Sequence, residues 1–149
     1  MKTTTRSHSS SLFLLELVIA IVIFALASAL SLQFFAKAHL LNQNAKTLNF
    51  FSNECSIAAE ITGISTSLED LEAALLHLYP DAYIQEGKLE LYYDETFTLS
   101  SPESSTYLYT ISYENSDNFL TSFMKVMDKT SGTLIYELES KHYPGGPSL

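Results

Sequence analysis

The stretch SSSLFLLELVIAIVIFALASALSL, Ser9 to Leu32, decides how the rest of the chain is read. From Leu12 to Leu32 only Glu16, Ser28 and Ser31 are polar. About 21 such residues are enough to carry a helix across a bilayer core of about 30 Å. A carboxylate inside hydrocarbon costs a few kcal/mol even on lenient insertion scales, so Glu16 stands out as a functional residue of an otherwise ordinary span. The competing reading of the same stretch is a cleaved secretory signal, with Lys2 and Arg6 as its basic start and Ala25, Ala27 and Ala29 imitating a cleavage site. Its length and its smooth continuation into a helical pattern favour the span.

Lys2 and Arg6 are the only charges ahead of the apolar run, and nearly all the acids follow it. Positive residues favour the cytoplasmic side, so the expected topology is single-pass in the cell membrane, amino terminus inside and carboxy-terminal domain outside. The 149 residues carry a formal net charge of -9. An acidic body repels phosphate backbones, and direct binding of nucleic acid is not expected.

After Leu32 the pattern turns amphipathic. Phe34, Ala38, Leu41, Ala45, Leu48, Cys55 and Ala59 recur at alternating spacings of three and four, with Ser52 breaking the register. No proline or glycine interrupts Leu12 to Thr62, so span and amphipathic stretch are expected to form one helix of about 50 residues, about 75 Å long. Gly63 is its expected stop, and residues 33–62 are expected to offer their one apolar stripe to an outer domain.

Ser67-Leu68-Glu69-Asp70 resembles an N-cap with an acidic first turn, followed by a short helix over Leu71 to Leu78 that Pro80 ends. Beyond it the periodicity falls to two. Lys88 to Tyr93, Thr106 to Glu114, Phe119 to Val126 and Leu134 to Leu138 read as four strands, with Glu86-Gly87 as a turn before the first and Asp128 to Gly132 as a hairpin loop. The expected fold class is α+β: a long helix whose outer half packs on a small antiparallel sheet. Residues 1–11 form a basic leader, 12–32 the transmembrane helix, 33–62 its amphipathic continuation, 63–143 the extracytoplasmic domain and 144–149 a loose tail.

The amino-terminal segment resembles that of type IV pilins and of the pseudopilins of secretion and competence systems, and within them the minor subunits. The shared pattern is a short basic leader, a cleavage point, four mostly apolar residues, a glutamate and a long apolar helix. Leu12-Phe13-Leu14-Leu15-Glu16 followed by LVIAIVIFALA supplies it here, over about a quarter of the chain. The resemblance implies cleavage between Ser11 and Leu12 by a prepilin peptidase, methylation of the new amino terminus at Leu12, and an assembly role for Glu16, neutralised by the terminal amine of a neighbouring subunit. It also implies a pilin-like fold, other pilin or pseudopilin subunits and the pilus assembly platform as partners, membrane lipid around the helix, and a filament at the cell surface. Two positions depart from the family pattern: Ser11 stands where glycine is almost invariable, and Phe13 where a threonine is usual. The alternative function is an unprocessed single-pass membrane protein whose outer domain binds a partner. The other reading of Glu16 itself is a residue close enough to the interface to reach water or headgroups, since it lies about 6 Å of helix rise beyond Leu12.

No nucleophile elbow, dinucleotide or phosphate loop, zinc-protease motif or calcium loop is present, so neither an enzyme, a cofactor nor a metal is expected. His39, His77 and His142 are isolated, and His77 reads as a surface residue of its short helix. Glu137 and Glu139 share one strand face and read as a solvated edge that discourages sheet pairing. Cys55, the single cysteine, reads as a buried core residue. Tyr107, Tyr109 and Tyr113 read as the packed face of a half-buried sheet in preference to a binding face.

Overall fold

The computed structural model describes residues 7–85 and 87–144. Among them the chain forms one long helix, α1 (Ser7–Ile64), a short helix, α2 (Leu68–Leu78), and five strands: β1 (Tyr83–Gln85), β2 (Lys88–Tyr93), β3 (Tyr107–Ser116), β4 (Phe119–Asp128) and β5 (Leu134–His142). The strands form one antiparallel sheet in chain order, each paired with the next. The α+β class expected from periodicity is what the chain adopts. Two compact units divide it, Met1–Ala45 and Lys46–Leu149.

Several boundaries differ from those expected. The helix is described from Ser7, within the residues expected to form a leader, and runs through Gly63 to Ile64 before Ser65 closes it with a backbone bond to the Ile61 carbonyl (3.1 Å). A single glycine costs only about 1 kcal/mol in a helix, too little to end one that is held by packing. Five strands replace the four expected, because β1 is three exposed residues with no alternation to read. It returns into β2 through Gly87, whose φ of 75° needs a residue free of Cβ strain. The longest strands, β3 and β4, meet at Asp117 and Asn118, both left-handed with φ of 54° and 66°. Positive φ at both centre residues makes the two-residue connection that matches strand twist. The loose tail begins as a turn at Pro144, and the rest of it, like leader residues 1–6, lies outside the described residues.

The core of the second unit lies between the inner face of the sheet and two helical surfaces. Leu89 and Leu91 of β2, Tyr109 and Ile111 of β3, and Leu120, Met124 and Val126 of β4 point inward and are buried. The tyrosine stripe of β3 is thus a packed face, as its alternation suggested, with Tyr109 fully buried and Tyr107 and Tyr113 half-buried. Helix α2 adds Leu71 and Leu75, one turn apart on its inner side. Ser67 caps it by accepting from the Asp70 backbone N–H at 3.1 Å, the cap read from the sequence. Helix α1 supplies Phe51, Cys55, Ala58 and Thr62, all fully buried.

That last set corrects the apolar stripe. Leu48 belongs to the stripe but is 44% exposed, and Phe34 and Leu41 are 71% and 62% exposed. Only Cys55 and, in part, Ala59 meet the domain. A stripe repeating every 3.5 residues drifts by about 20° per seven residues around a straight 3.6-residue helix, and Phe51, one position off the register of Ser52, brings far more apolar area than a serine. The domain therefore closes on the face of Phe51.

Candidate membrane and assembly segment

The expected processing and assembly residues all fall at the start of α1. Ser11 and Leu12 are helical in their backbone, and the Ser11–Leu12 bond lies within the first turns of the helix. The first N–H groups of a helix have no intrahelical partner and its ends fray, so this is where α1 opens at least cost. Leu12 and Glu16 are four residues apart and share a helix face. Glu16 is exposed and makes no hydrogen bond or ion pair with any described residue.

Around Glu16 the helix is apolar and uncovered. Leu12, Phe13, Leu17, Ile21 and Phe24 are 47–74% exposed, and no part of the run is buried inside the chain. Burying one such side chain is worth about 1.5–3 kcal/mol, so an uncovered run of them in water is strongly unfavourable. Among the described residues this is the one helix long and apolar enough to cross a membrane. Ser28 and Ser31 turn their hydroxyls back onto the carbonyls of Phe24 and Ala27, both at 2.8 Å. Each polar side chain is thereby satisfied without water, as an apolar solvent requires.

The distal end of α1 is polar where it meets the sheet, and every such group is paired. The Thr62 hydroxyl donates to the Ala58 carbonyl at 2.9 Å and lies 2.6 Å from the Ser122 hydroxyl of β4. The Tyr79 phenol donates to the Glu54 carboxylate at 3.0 Å, and the Tyr109 phenol to the Glu54 carbonyl at 3.4 Å. Burial and the adjacent Glu54 carboxylate hold the Tyr79 phenol above its usual range. Burial likewise pushes the Cys55 thiol up to about 11, and the charge of Glu54 adds to the effect. Cys55 stays neutral and inert at ordinary pH, the opposite of a reactive cysteine. An aromatic cluster finishes this end: Phe50 stacks on Phe97 at 4.8 Å, and Phe51 meets Tyr93 and Tyr107 edge-on at 5.6 and 5.3 Å. Phe97 has a φ of 62°, a costly conformation for a bulky residue that its place in this cluster sustains.

On the outer side of the sheet an open groove of about 470 Å³ lies along β4 and β5, lined by Phe123, Lys125, Glu137 and Glu139 together with Met124 and Leu138. Glu139 pairs with Lys141 at 2.8 Å, both well exposed. Such a pair is worth about 0–1 kcal/mol and mainly blunts the edge strand. His77 is exposed on α2, as its neighbourhood suggested. Sequence reading missed Phe50, Phe51 and Phe97 as a cluster; the adjacent Phe50-Phe51 pair was the available signal.

No family model, no curated protein and no solved structure matches this chain.

Proposed function

We propose that the chain is a membrane-anchored, pilin-like structural subunit, cut between Ser11 and Leu12 by a prepilin peptidase and assembled through its amino-terminal helix into a pilus or pseudopilus. The observation that carries this reading is Glu16. It is a carboxylate with no hydrogen bond or ion pair among the described residues, set near the start of an uncovered apolar helix whose other end belongs to a sheet domain. An isolated charge in that setting is expensive, and a neighbouring subunit's terminal amine would offset the cost. The processed subunit would then be held by lipid until the assembly platform joins it to others, with its domain outside the membrane.

Mass spectrometry of the membrane-extracted protein tests the reading. In cells with an active prepilin peptidase the expected chain begins at methylated Leu12. A chain that still carries Lys2 and Arg6 there would overturn it.

A second reading, an unprocessed single-pass protein with a partner-binding outer domain, draws support from Ser11 in place of glycine and from the helical backbone that extends back to Ser7. The same spectrum separates the two.

A further inference from the structure

The apolar run at the start of α1 does not stop at Leu32. Phe34, Phe35, Leu40 and Leu41 are 59–74% exposed. Counted from Gln33 at about 100° per residue, they stand at about 100°, 200°, 340° and 80° around the helix axis. No sector wider than about 140° is free of a large apolar side chain. One neighbouring helix would cover one side of α1, whereas a helix apolar on every side calls for an apolar medium all round it. Past Leu41 the character changes at once: Asn42, Gln43, Asn44, Lys46 and Thr47 follow, with Ala45 alone among them apolar.

Charge marks where that medium begins and ends. Glu16 and Lys37 bracket residues 17–36, none of which is charged. These are about 20 residues with a rise of about 30 Å, the thickness of a hydrocarbon core. From Leu12 to Leu41 the helix is about 45 Å long, the thickness of a bilayer with its headgroups. Fitting all of it into hydrocarbon by tilting alone would take about 48°, beyond the range of spanning helices. Glu16 and Lys37 lie symmetrically in this run, each one turn in from an end.

We infer that the lone membrane-held chain crosses hydrocarbon at residues 17–36, later than the expected span, and that residues 37–41 dock at headgroup depth with Lys37 on the phosphate of an anionic phospholipid. Lys37 has no hydrogen bond or ion pair with a described residue. His39 beside it is turned to Gln43, its ring nitrogen 3.1 Å from the amide. Gln33, one turn below Lys37, lies on the same side of the helix. No acid lies between Glu16 and Glu54. An ammonium at that depth, without a competing carboxylate, draws anionic headgroups, and its apolar stem lies along the helix beneath them. The inference rests on the membrane anchorage that both functional readings share, and it concerns the chain before any assembly. Glu16 reaches headgroups while lipid surrounds the helix, and it would need an amine partner only once other helices replace that lipid.

Fluorescence quenching by brominated lipids tests it. The chain has no tryptophan, so a single one reports on its own surroundings. Phe24→Trp, Phe35→Trp, Leu40→Trp and Asn44→Trp are each made in the full chain, leader intact, and reconstituted at low protein content in vesicles of equal parts phosphatidylcholine and phosphatidylglycerol. All four sites are exposed, so the domain core is untouched. Bromine deep in the acyl chains is expected to quench Phe24→Trp most. Bromine close to the headgroups is expected to quench Phe35→Trp and Leu40→Trp, on different sides of the helix, and to spare Asn44→Trp. Leu40→Trp should be quenched several-fold more when phosphatidylglycerol alone carries the bromine than when phosphatidylcholine alone does, and adding Lys37→Gln should make the two equal. Leu40→Trp quenched no more than Asn44→Trp would put residues 37–41 in water. Quenching of Phe35→Trp or Leu40→Trp but not both would mean that a protein surface shields one side. Equal quenching by the two lipids with Lys37 in place would remove the phosphate contact. Each of these results would overturn the inference. None of them bears on cleavage at Ser11–Leu12, which mass spectrometry decides separately.

Discussion

Residues 12–48 and 50–62 belong to the same helix, yet their apolar side chains meet different surroundings. In the first stretch Leu12, Phe24, Phe34 and Leu41 are 62–74% exposed, and no described residue covers them. In the second, Phe51, Cys55 and Ala58 have no exposure at all, and Thr62 beside them is sealed by a hydroxyl contact. Helix formation is continuous across both, so local propensity does not distinguish them. The partner does: a sheet of the same chain for the second and, under the proposed function, lipid or another helix for the first. A side chain's contribution to the stability of the folded chain therefore depends on which stretch it occupies.

The sharpest way to break this contrast is a matched pair of truncations. Phe51→Ala removes a fully buried ring from the aromatic cluster, and losses of about 3–5 kcal/mol are usual for such changes. The domain is expected to unfold at much lower denaturant in detergent-solubilised full chain. Phe34→Ala removes the same ring from an uncovered position and is expected to shift domain stability by less than about 0.5 kcal/mol. Equal effects would erase the distinction.

A smaller effect sharpens the picture of the join between helix and sheet. Thr62→Val leaves the Ser122 hydroxyl buried without its partner, at a cost of about 1–3 kcal/mol by chemical denaturation. Thr62→Val with Ser122→Ala removes both hydroxyls and is expected to recover part of the loss. A double variant worse than the sum of the singles would show that the hydroxyl pair does not act as a unit.

The smallest effect is electrostatic. The Cys55 thiol, ordinarily near 9.0, is held up to about 11 by burial. A raised folded value means that the unfolded chain loses this proton first as pH rises. The contribution of the neutral thiol is therefore complete below about pH 9 and fades as pH approaches about 11. Unfolding midpoints measured across that window should fall more in the native chain than in Cys55→Ala, and thiol reagents should label Cys55 only after denaturation.

Much of the architecture was legible in the sequence because each element carried its own local signal. Ser67 with Glu69 and Asp70 marked α2, the alternation of β2, β3 and β4 marked their inward faces, and Asp128 to Gly132 marked a hairpin that closes with Asp128 and Gly132 bonded at 2.8 Å. What was missed lacked such a signal or obeyed a competing one. β1 has three residues and no buried side, and β5 runs four residues past Leu138 because Glu139 and Lys141 face outward on an edge. The buried face of α1 was misplaced by one position: Phe51, Cys55, Ala58 and Thr62 keep the same alternation of four and three, but they follow from Phe51 where the expected stripe continued through Ser52 and Ala59. Ser11, Leu12 and Glu16 were legible only as a pattern. Their proposed partners, a protease and a neighbouring subunit, are other molecules, and no contact inside one chain reports on them.

Accessibility along α1 tests the central contrast most directly. Single cysteines at Ala20, Leu26, Gln43 and the native Cys55 would be treated, in intact cells, with a membrane-impermeant maleimide. The account predicts labelling at Gln43→Cys alone. Ala20→Cys and Leu26→Cys should stay unlabelled until lipid is removed by detergent, and Cys55 until the domain is denatured. Labelling of Ala20→Cys or Leu26→Cys to the same extent as Gln43→Cys before detergent is added would contradict it.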